Sequence, residues 1–404
     1  MVMRHIHVKI TAISLIALLL INFSAGAYAV GGYGGGYSYS GDFMYRVVNG
    51  AAEITIYNGK AEYLIIPDEL DGYTVAGIGA AAFLLCRSLK LVTIPQSVVS
   101  IGAQAFDSCE NMQSVNIPES VTSIGDRAFT KCTSLETITI PVGAATGKLA
   151  FLECAGLTEA SVYSRTIGIG MFANCTALKS IYFGENVRQI GEEAFFNCKS
   201  LTFVSFPESV AGIGDGAFFG CSGIKDLVFN SAGTNFEGNL KNIHKYDNIV
   251  PTFSEASGLS TVYAFEGSLA HRYAIENDLD FVPLISVLLN GRRLRLETPP
   301  IIVNDRALVP MRAIFEALGA SVDWDDKTRT VYAVSEAKAD APSVTVSLRI
   351  GDPIMTVNGA AVTLEAPPEI YFDRTLVPVR AISESLGAAV EWFEDPRSVV
   401  ITIE

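Results

Sequence analysis

The residues of this chain best equipped for chemistry are its seven cysteines: Cys86, Cys109, Cys132, Cys154, Cys175, Cys198 and Cys221. A thiolate serves as nucleophile, disulfide partner or metal ligand, and its surroundings choose among these roles. Here the spacing chooses. Each cysteine stands three residues after a phenylalanine, from Phe83 to Phe218, and each phenylalanine four residues after a glycine, from Gly79 to Gly214. The phenylalanines are separated by 23, 23, 22, 21, 23 and 23 residues. Three residue types held in phase over seven periods mark a structural repeat. Side chains that recur once per period form a column when the repeats stack, and a column is not the tetrahedral cluster zinc requires. Neighbours in it lie about 5 Å apart at Cα, within disulfide reach. Pairing of some members therefore stays open, with at least one thiol left over. A structural ladder of buried thiols, behaving as small hydrophobes, is the reading that fits all seven.

Other chemical groups are placed less suggestively. Asp323, Asp325 and Asp326 lack the alternating spacing and distal glutamate of a calcium loop and read as a solvated hairpin turn. His244 and His271 are the only histidines beyond the N-terminal segment, too few for a three-histidine metal site. Nucleophile-elbow, zincin, Walker and dinucleotide fingerprints do not occur. The chain is therefore expected to be no enzyme and to need no cofactor or metal.

The elements that hold the column follow from the residues between cysteines. These read L-x-x-L-x-L, as in Leu89, Val92, Ile94 and Leu135, Ile138, Ile140, and Pro95, Pro118, Pro141 and Pro207 end the strand so formed. Each coil should present one short parallel strand and turn at the proline. It should then return through an extended segment to an Ile-Gly turn, where a Cβ would hinder the backbone, and close through a short helical Ala-Phe-x-x-Cys stretch. The unit Ile-Pro-x-x-Val-x-x-Ile-Gly-x-x-Ala-Phe-x-x-Cys-x-x-Leu resembles the BspA-like group of bacterial leucine-rich repeats. Tyr63 to Pro67 resemble its opening coil and Gly267 to Ala274 its closing cap. That resemblance covers about residues 43–284. It implies an α/β solenoid of leucine-rich-type repeats, with parallel short strands and short helical or irregular returns, displayed toward host or matrix. Ala144 to Gly184 lose the Ile-Pro element and Ser231 to Gly258 lose Ala-Phe-x-x-Cys, so irregular coils are expected there.

A solenoid binds along its exposed sheet face. Outward strand positions are small and polar in the early coils, at Thr93, Ser114, Asn116, Thr137 and Thr139. They become Glu159, Tyr163, Tyr182 and Phe203 in the middle coils, where the three aromatics should be neighbours. These four form the candidate contact patch for an extracellular protein or glycan, since exposed aromatics are common binding anchors. Ordinary cross-strand packing is the alternative.

From Ile285 the period changes. Asn290-Gly291, Pro299-Pro300, Arg306 to Arg312 and Trp324 recur 68 residues later as Asn358-Gly359, Pro367-Pro368, Arg374 to Arg380 and Trp392. Each Asn-Gly predicts a hairpin turn, each Val-Pro opens a short helix, and Gly319 and Gly387 end those helices. The result is a small duplicated α+β module. It resembles the stalk module named after the N-terminal domain of copper amine oxidases, which implies a fold and no catalytic residue. Arg312 and Arg380 occupy equivalent places and read as ion-pair partners first and as candidate cell-wall contacts second.

The N-terminus suggests the compartment. Arg4 and Lys9 precede an apolar run from Ile10 to Phe23, and Ala27-Tyr28-Ala29 supplies a small-x-small cleavage site. The expected order is a signal peptide at 1–29, a Gly/Tyr/Ser-rich linker at 30–42, the solenoid at 43–284 and the module at 285–404. The formal net charge is −14, and the only charged residues before Val30 are basic, so the remainder is more acidic still. That balance opposes nucleic acid and anionic lipid as partners. A secreted or surface-held binding protein of a Gram-positive-type envelope is expected, with a ligand-free envelope scaffold as the alternative.

Overall fold

The computed structural model describes residues 36–235, 252–253, 256–294, 296, 298–303, 306–337, 342–371, 374–394 and 397–403. The expected signal peptide and His244 lie outside the described residues. The body is a solenoid of about nine turns, built mainly of strands. A row of three successive parallel sheets carries the L-x-L positions: Tyr63–Ile65, Leu91–Thr93 and Ser114–Asn116 in the first, then Thr137–Ile140, Glu159–Val162 and Ser180–Phe183 in the second. It continues through Phe203–Phe206, Asp226–Phe229, Thr261–Ala264 and Asp280–Pro283. A second parallel ladder forms on the return side, from Tyr73–Ile78 through Ser100–Ile101, Ser123–Ile124 and Ala145–Thr146. Part of the segment read as a linker is a strand. Tyr37–Ser40 pairs antiparallel with Phe43–Val48, which pairs with Ala51–Tyr57, and this meander caps the return ladder.

The core is columnar. Phe83, Phe106, Phe129, Phe151, Phe172, Phe195 and Phe218 are fully buried. Successive rings stack at centroid distances from 4.8 to 5.5 Å, spacings at which an aromatic pair adds about 0.5–1.5 kcal/mol beyond its area burial. Tyr57 starts the column against Phe83, and Phe253 continues it against Phe218. The coil that lost its Ala-Phe-x-x-Cys sequence thus still supplies a ring, from a Thr-Phe pair. Thr252 there accepts the bond from the Phe218 amide.

The Ala-Phe-x-x-Cys stretch is not helical, and the backbone bonds explain why. The amides of residues 81, 83 and 85 donate to carbonyls 103, 105 and 107 of the next coil at 2.9, 2.7 and 2.9 Å. The amides of 82, 84 and 86 donate back three residues within their own coil. A helix would direct every amide inward along its own axis and leave none for the neighbouring coil. The alternation instead needs positive φ at two positions per coil, adopted by Ala81 and Leu85, Gln104 and Ser108, and Arg127 and Lys131. Each costs about 1–2 kcal/mol for a residue with a Cβ, offset by completing the backbone accounting on both sides. The phased glycines serve a different end from the turn expected of them. A Cβ on Gly102 would lie 2.5 Å from the Ala80 amide nitrogen, and one on Gly125 2.4 Å from that of Ala103. They are demanded by the close approach of one coil to the next.

The C-terminal module follows its duplication. The strands Arg306–Pro310 and Arg374–Pro378 pair antiparallel with Val309 opposite Val377, its counterpart, so a pseudo-twofold passes between them. Helices Met311–Ala317 and Val379–Ser385 begin directly after Pro310 and Pro378, which occupy the N-caps and not the first helical turn. Asn290 and Gly291 (φ 48° and 74°), and Asn358 and Gly359 (51° and 80°), form the expected hairpin turns with both residues left-handed. Ser286–Leu289 pairs parallel with Arg397–Thr402 and closes one side. On the other side Val344–Arg349 is inserted between Thr330–Ser335 and Ile354–Val357, so the symmetry is broken there.

Candidate ligand groove between solenoid and module

The thiol column is made of free cysteines, six buried and Cys86 half-buried at its open end. Each of the six donates its S–H to the carbonyl of the phenylalanine in the preceding coil, as Cys109 to Phe83 at 3.1 Å and Cys221 to Phe195 at 3.0 Å. That carbonyl already accepts the amide of its own coil's cysteine, as Phe83 does from Cys86 at 3.1 Å. Burial pushes Cys109 up to about 12 and also raises Cys132, Cys175 and Cys198. Bonded and sealed from solvent, these thiols stitch coil to coil.

Where the ladder changes sheet, a different environment appears. Ser180–Phe183 ends one hydrogen-bonded sheet and Phe203–Phe206 begins the next. Phe183 and Phe206 stand where earlier coils carry Val162 and Ile140, and their stacked rings are 5.9 Å apart, wider than the ~4.8 Å spacing of paired strands. Beyond this point the module folds back onto the strand face. Val228 and Tyr263, at outward strand positions, are buried with Leu284, Ile301, Leu308 and Leu376 of the module side, and Phe203, Phe265 and Tyr371 pack around them. Removal from water pushes the Tyr263 hydroxyl up to about 12. The chain crosses into the module without a linker, since Leu284 both bonds Ala264 at 2.9 Å and bridges Ile301. Arg293–Glu208 at 3.0 Å and Arg397–Glu266 at 3.5 Å span the seam. Such exposed pairs are worth about 0–1 kcal/mol each, so the apolar cluster holds the seam.

Between the bare sheet and the docked module lies a groove of about 480 Å³. Glu159, Tyr182, Phe203 and Glu185 line it from the solenoid, Phe265 from the last coils, and Arg293, Pro299 and Pro300 from the module. Arg293 is held in place by Glu208 and lies with its guanidinium 5.2 Å from the centre of the Phe265 ring.

Of the sequence-derived patch, Glu159 is exposed, Tyr182 is 38% exposed and Tyr163 and Phe203 are half-buried. Tyr163 and Tyr182 are in contact, with ring centroids 5.6 Å apart. Phe203 opens its strand as Glu159 and Ser180 open theirs, whereas Tyr182 is third in its own. Its ring accordingly packs on the seam, while Tyr163 and Tyr182 form a pair. Phe265, Glu185, Glu208 and Arg293 were missed by sequence reasoning. Phe265 was within reach, because it follows its strand as Tyr163 follows Glu159–Val162. Among the early outward residues, Asn116 is turned back onto the backbone, bonding both the amide and carbonyl of Ile94.

Arg312 and Arg380 lie apart from this groove, about half exposed and ion-paired. Arg312 reaches Glu316 at 3.9 Å; Arg380 reaches Glu365 at 3.8 Å and Glu384 at 3.9 Å. Asp325 bonds its own turn, accepting from the Lys327 amide and the Thr328 hydroxyl, which lowers its pKa. His271 caps the loop at Gly267 and stacks on Phe281. No helix among the described residues is long and apolar enough to cross a membrane, and no group of three or more metal-ligating side chains occurs among them.

The family model for the BspA type leucine rich repeat region matches residues 56–168 and 147–263 as six copies. The model for the copper amine oxidase N-terminal domain matches residues 288–401. No curated protein matches the chain. Among solved structures, a leucine rich repeat protein of T. pallidum is 30% identical, covering 45% of this chain and 88% of its own, with a TM-score of 0.42. A leucine rich cell surface protein from Faecalibacterium prausnitzii is 24% identical over 56% of this chain and 70% of its own, with a TM-score of 0.46. The pneumococcal vaccine antigen PcpA is 14% identical over 56% and 87%, with a TM-score of 0.24. With its phased coils, its phenylalanine column and the family model matched over half of its length, the chain belongs to the BspA type of leucine rich repeat proteins, extended by a module that matches the N-terminal domain of copper amine oxidases.

Proposed function

We propose that this chain is an exported, surface-associated recognition protein that binds an extracellular ligand in the groove between solenoid and module. The observation that carries the reading is Tyr182, left 38% exposed beside Tyr163 and Glu159 at the mouth of that groove, while the next outward positions are sealed by the module. Exposed aromatics in a concave site are the usual anchors of recognition. The chain acts by binding and not by catalysis: its thiols are buried, bonded core members, and the two matched families are a repeat region and a domain distinct from an oxidase's catalytic part. The cell-surface description of the F. prausnitzii relative supports the location, as does the signal-like N-terminus. The module serves as the envelope-proximal unit, with Arg312 and Arg380 as its wall contacts.

Two measurements on the chain from residue 30 to 404 test this. Capture on immobilised basement-membrane extract should be lost in a Tyr163→Ser/Tyr182→Ser variant that keeps its circular dichroism; unchanged capture would remove the groove as the contact. Co-sedimentation with purified Gram-positive walls should fall in Arg312→Ala/Arg380→Ala. Walls pelleting both proteins equally would leave the arginines as structural ion pairs alone.

A further inference from the structure

We infer that the groove is a subsite for an uncharged pyranose segment of a glycan; this rests on reading the groove as the ligand site. Its size is the first consideration. A volume of about 480 Å³ takes one or two sugar rings. A specific protein partner needs roughly 800 Å² of surface on each side, and here the module already covers the end of the sheet face. An extended peptide would bind by adding a strand to a free sheet edge. The groove lies across the sheet face, and the two sheet edges that meet there, Ser180–Phe183 and Phe203–Phe206, stand too close to admit a strand: their Phe183 and Phe206 rings are 5.9 Å apart, where an inserted strand needs about twice the ~4.8 Å strand spacing. What it offers a ligand is side chains.

Those side chains suit a sugar. A pyranose has an apolar C–H face and a rim of hydroxyls that donate and accept. Tyr182, Phe203 and Phe265 supply ring surface, and Glu159 and Glu185 supply acceptors at the same cleft. Asn230 gives its amide hydrogens to Ser205 and to the Phe206 carbonyl, leaving its side-chain oxygen as another acceptor. Arg293 is pre-oriented by Glu208 and Phe265, so its remaining N–H groups are donors placed at little entropic cost. Charge then narrows the class. Three carboxylates, those of Glu159, Glu185 and Glu208, line the groove against the two guanidinium groups of Arg293 and Arg374, and Glu208 already pairs with Arg293. A uronate or sialate would be repelled by the excess carboxylate, and a neutral sugar would not.

Calorimetry on the chain 30–404 tests the assignment, with cellotetraose and chitotetraose as neutral probes and 3′-sialyllactose as the acidic one. At least one neutral tetrasaccharide should bind, with sialyllactose weaker by about tenfold or more. Tyr182→Ala and Glu185→Gln should each weaken neutral-sugar binding by roughly tenfold. Both residues lie outside the buried seam, so folding is preserved where Phe203→Ala would disturb it. Tyr332→Ser, on the module's far sheet, should change nothing. Binding of neither neutral sugar, or equal binding by the Tyr182 and Glu185 variants, would overturn the assignment. If sugars fail while basement-membrane capture is lost in Tyr182→Ala, the ligand is a protein and the groove stands. If that capture also survives Tyr182→Ala, the groove reading falls with it.

Discussion

In the solenoid a buried residue meets its counterpart one period away: Phe106 stacks between Phe83 and Phe129, and Cys132 bonds the carbonyl of Phe106. In the module, counterparts 68 residues apart meet across a twofold, Val309 against Val377. Translation and rotation have different consequences. A translational stack never closes, so each end presents an unfinished ladder that must be covered. A twofold closes on itself, here through the parallel pair of Ser286–Leu289 with Arg397–Thr402. The closed unit can therefore serve as the cover for the open one: Ile301 bridges Leu284 at the ladder's end, and the module folds from there onto the strand face at Val228 and Tyr263.

Five predictions bear on that contrast, in descending size. Phe129→Ala should cost about 3–5 kcal/mol, the range for emptying a packed aromatic site. Both tryptophans lie in the module, at Trp324 and Trp392, so their fluorescence isolates its unfolding while circular dichroism follows the solenoid. The dichroism midpoint in urea should fall well ahead of the fluorescence midpoint; equal shifts would mean the two halves unfold as one.

Val228→Asp places an unpaired carboxylate in the seam, at a cost of about 2–5 kcal/mol. This variant should lower both midpoints and open the chain to protease near residue 285. A wild-type digestion pattern would count against a buried seam.

Raising pH is the third lever. Folded-state burial raises Cys109, Cys132, Cys175, Cys198 and Tyr263 above their ordinary values, Cys109 and Tyr263 to about 12. Groups raised in the folded state contribute fully below their unfolded pKa, and the contribution is lost as pH climbs toward the folded value. Urea stability should thus decline from about pH 9 for the thiols and about pH 10 for the seam. A flat profile between pH 8 and 11 would show that the thiols are open to solvent.

Cys132→Ser keeps a donor for the Phe106 carbonyl and should cost only about 1 kcal/mol, less than Cys132→Ala, by urea titration. A larger loss for serine would show that apolar packing outweighs the bond. Smallest is Asn358→Ala, which removes a residue suited to φ 51° at the hairpin and an acceptor for the Thr345 amide. A loss of about 1 kcal/mol or less is expected from the fluorescence midpoint.

Most of the solenoid was legible because its contacts repeat at the period of the sequence. Phenylalanine, cysteine and glycine in phase state which residues meet, and the paired Asn-Gly turns state the module's hairpins equally directly. The irregular return was misread as helix because Ala-Phe-x-x-Cys carries helix-compatible residues; the inter-coil amide bonds that override them involve no side chain. Phe253 escaped because it stands 35 residues after Phe218, outside the 21–23-residue period, although its ring completes the column. The groove was half legible. Tyr163, Tyr182 and Glu159 announce themselves by occupying outward positions. Arg293 and the docking of the module depend on how two separately folding patterns meet, and no local spacing encodes that. An available signal was Val228 and Tyr263, large residues at a strand position where most other coils carry threonine, serine or asparagine.

The central claim is that solenoid and module form one docked unit with a ligand groove between them, and hydrogen exchange tests it most directly. Amides of Asp226–Phe229, Thr261–Ala264, Arg306–Pro310 and Arg374–Pro378 should be protected together in the full chain and should lose protection together in Val228→Asp. Exchange in the two module strands that is indifferent to that substitution would contradict the account.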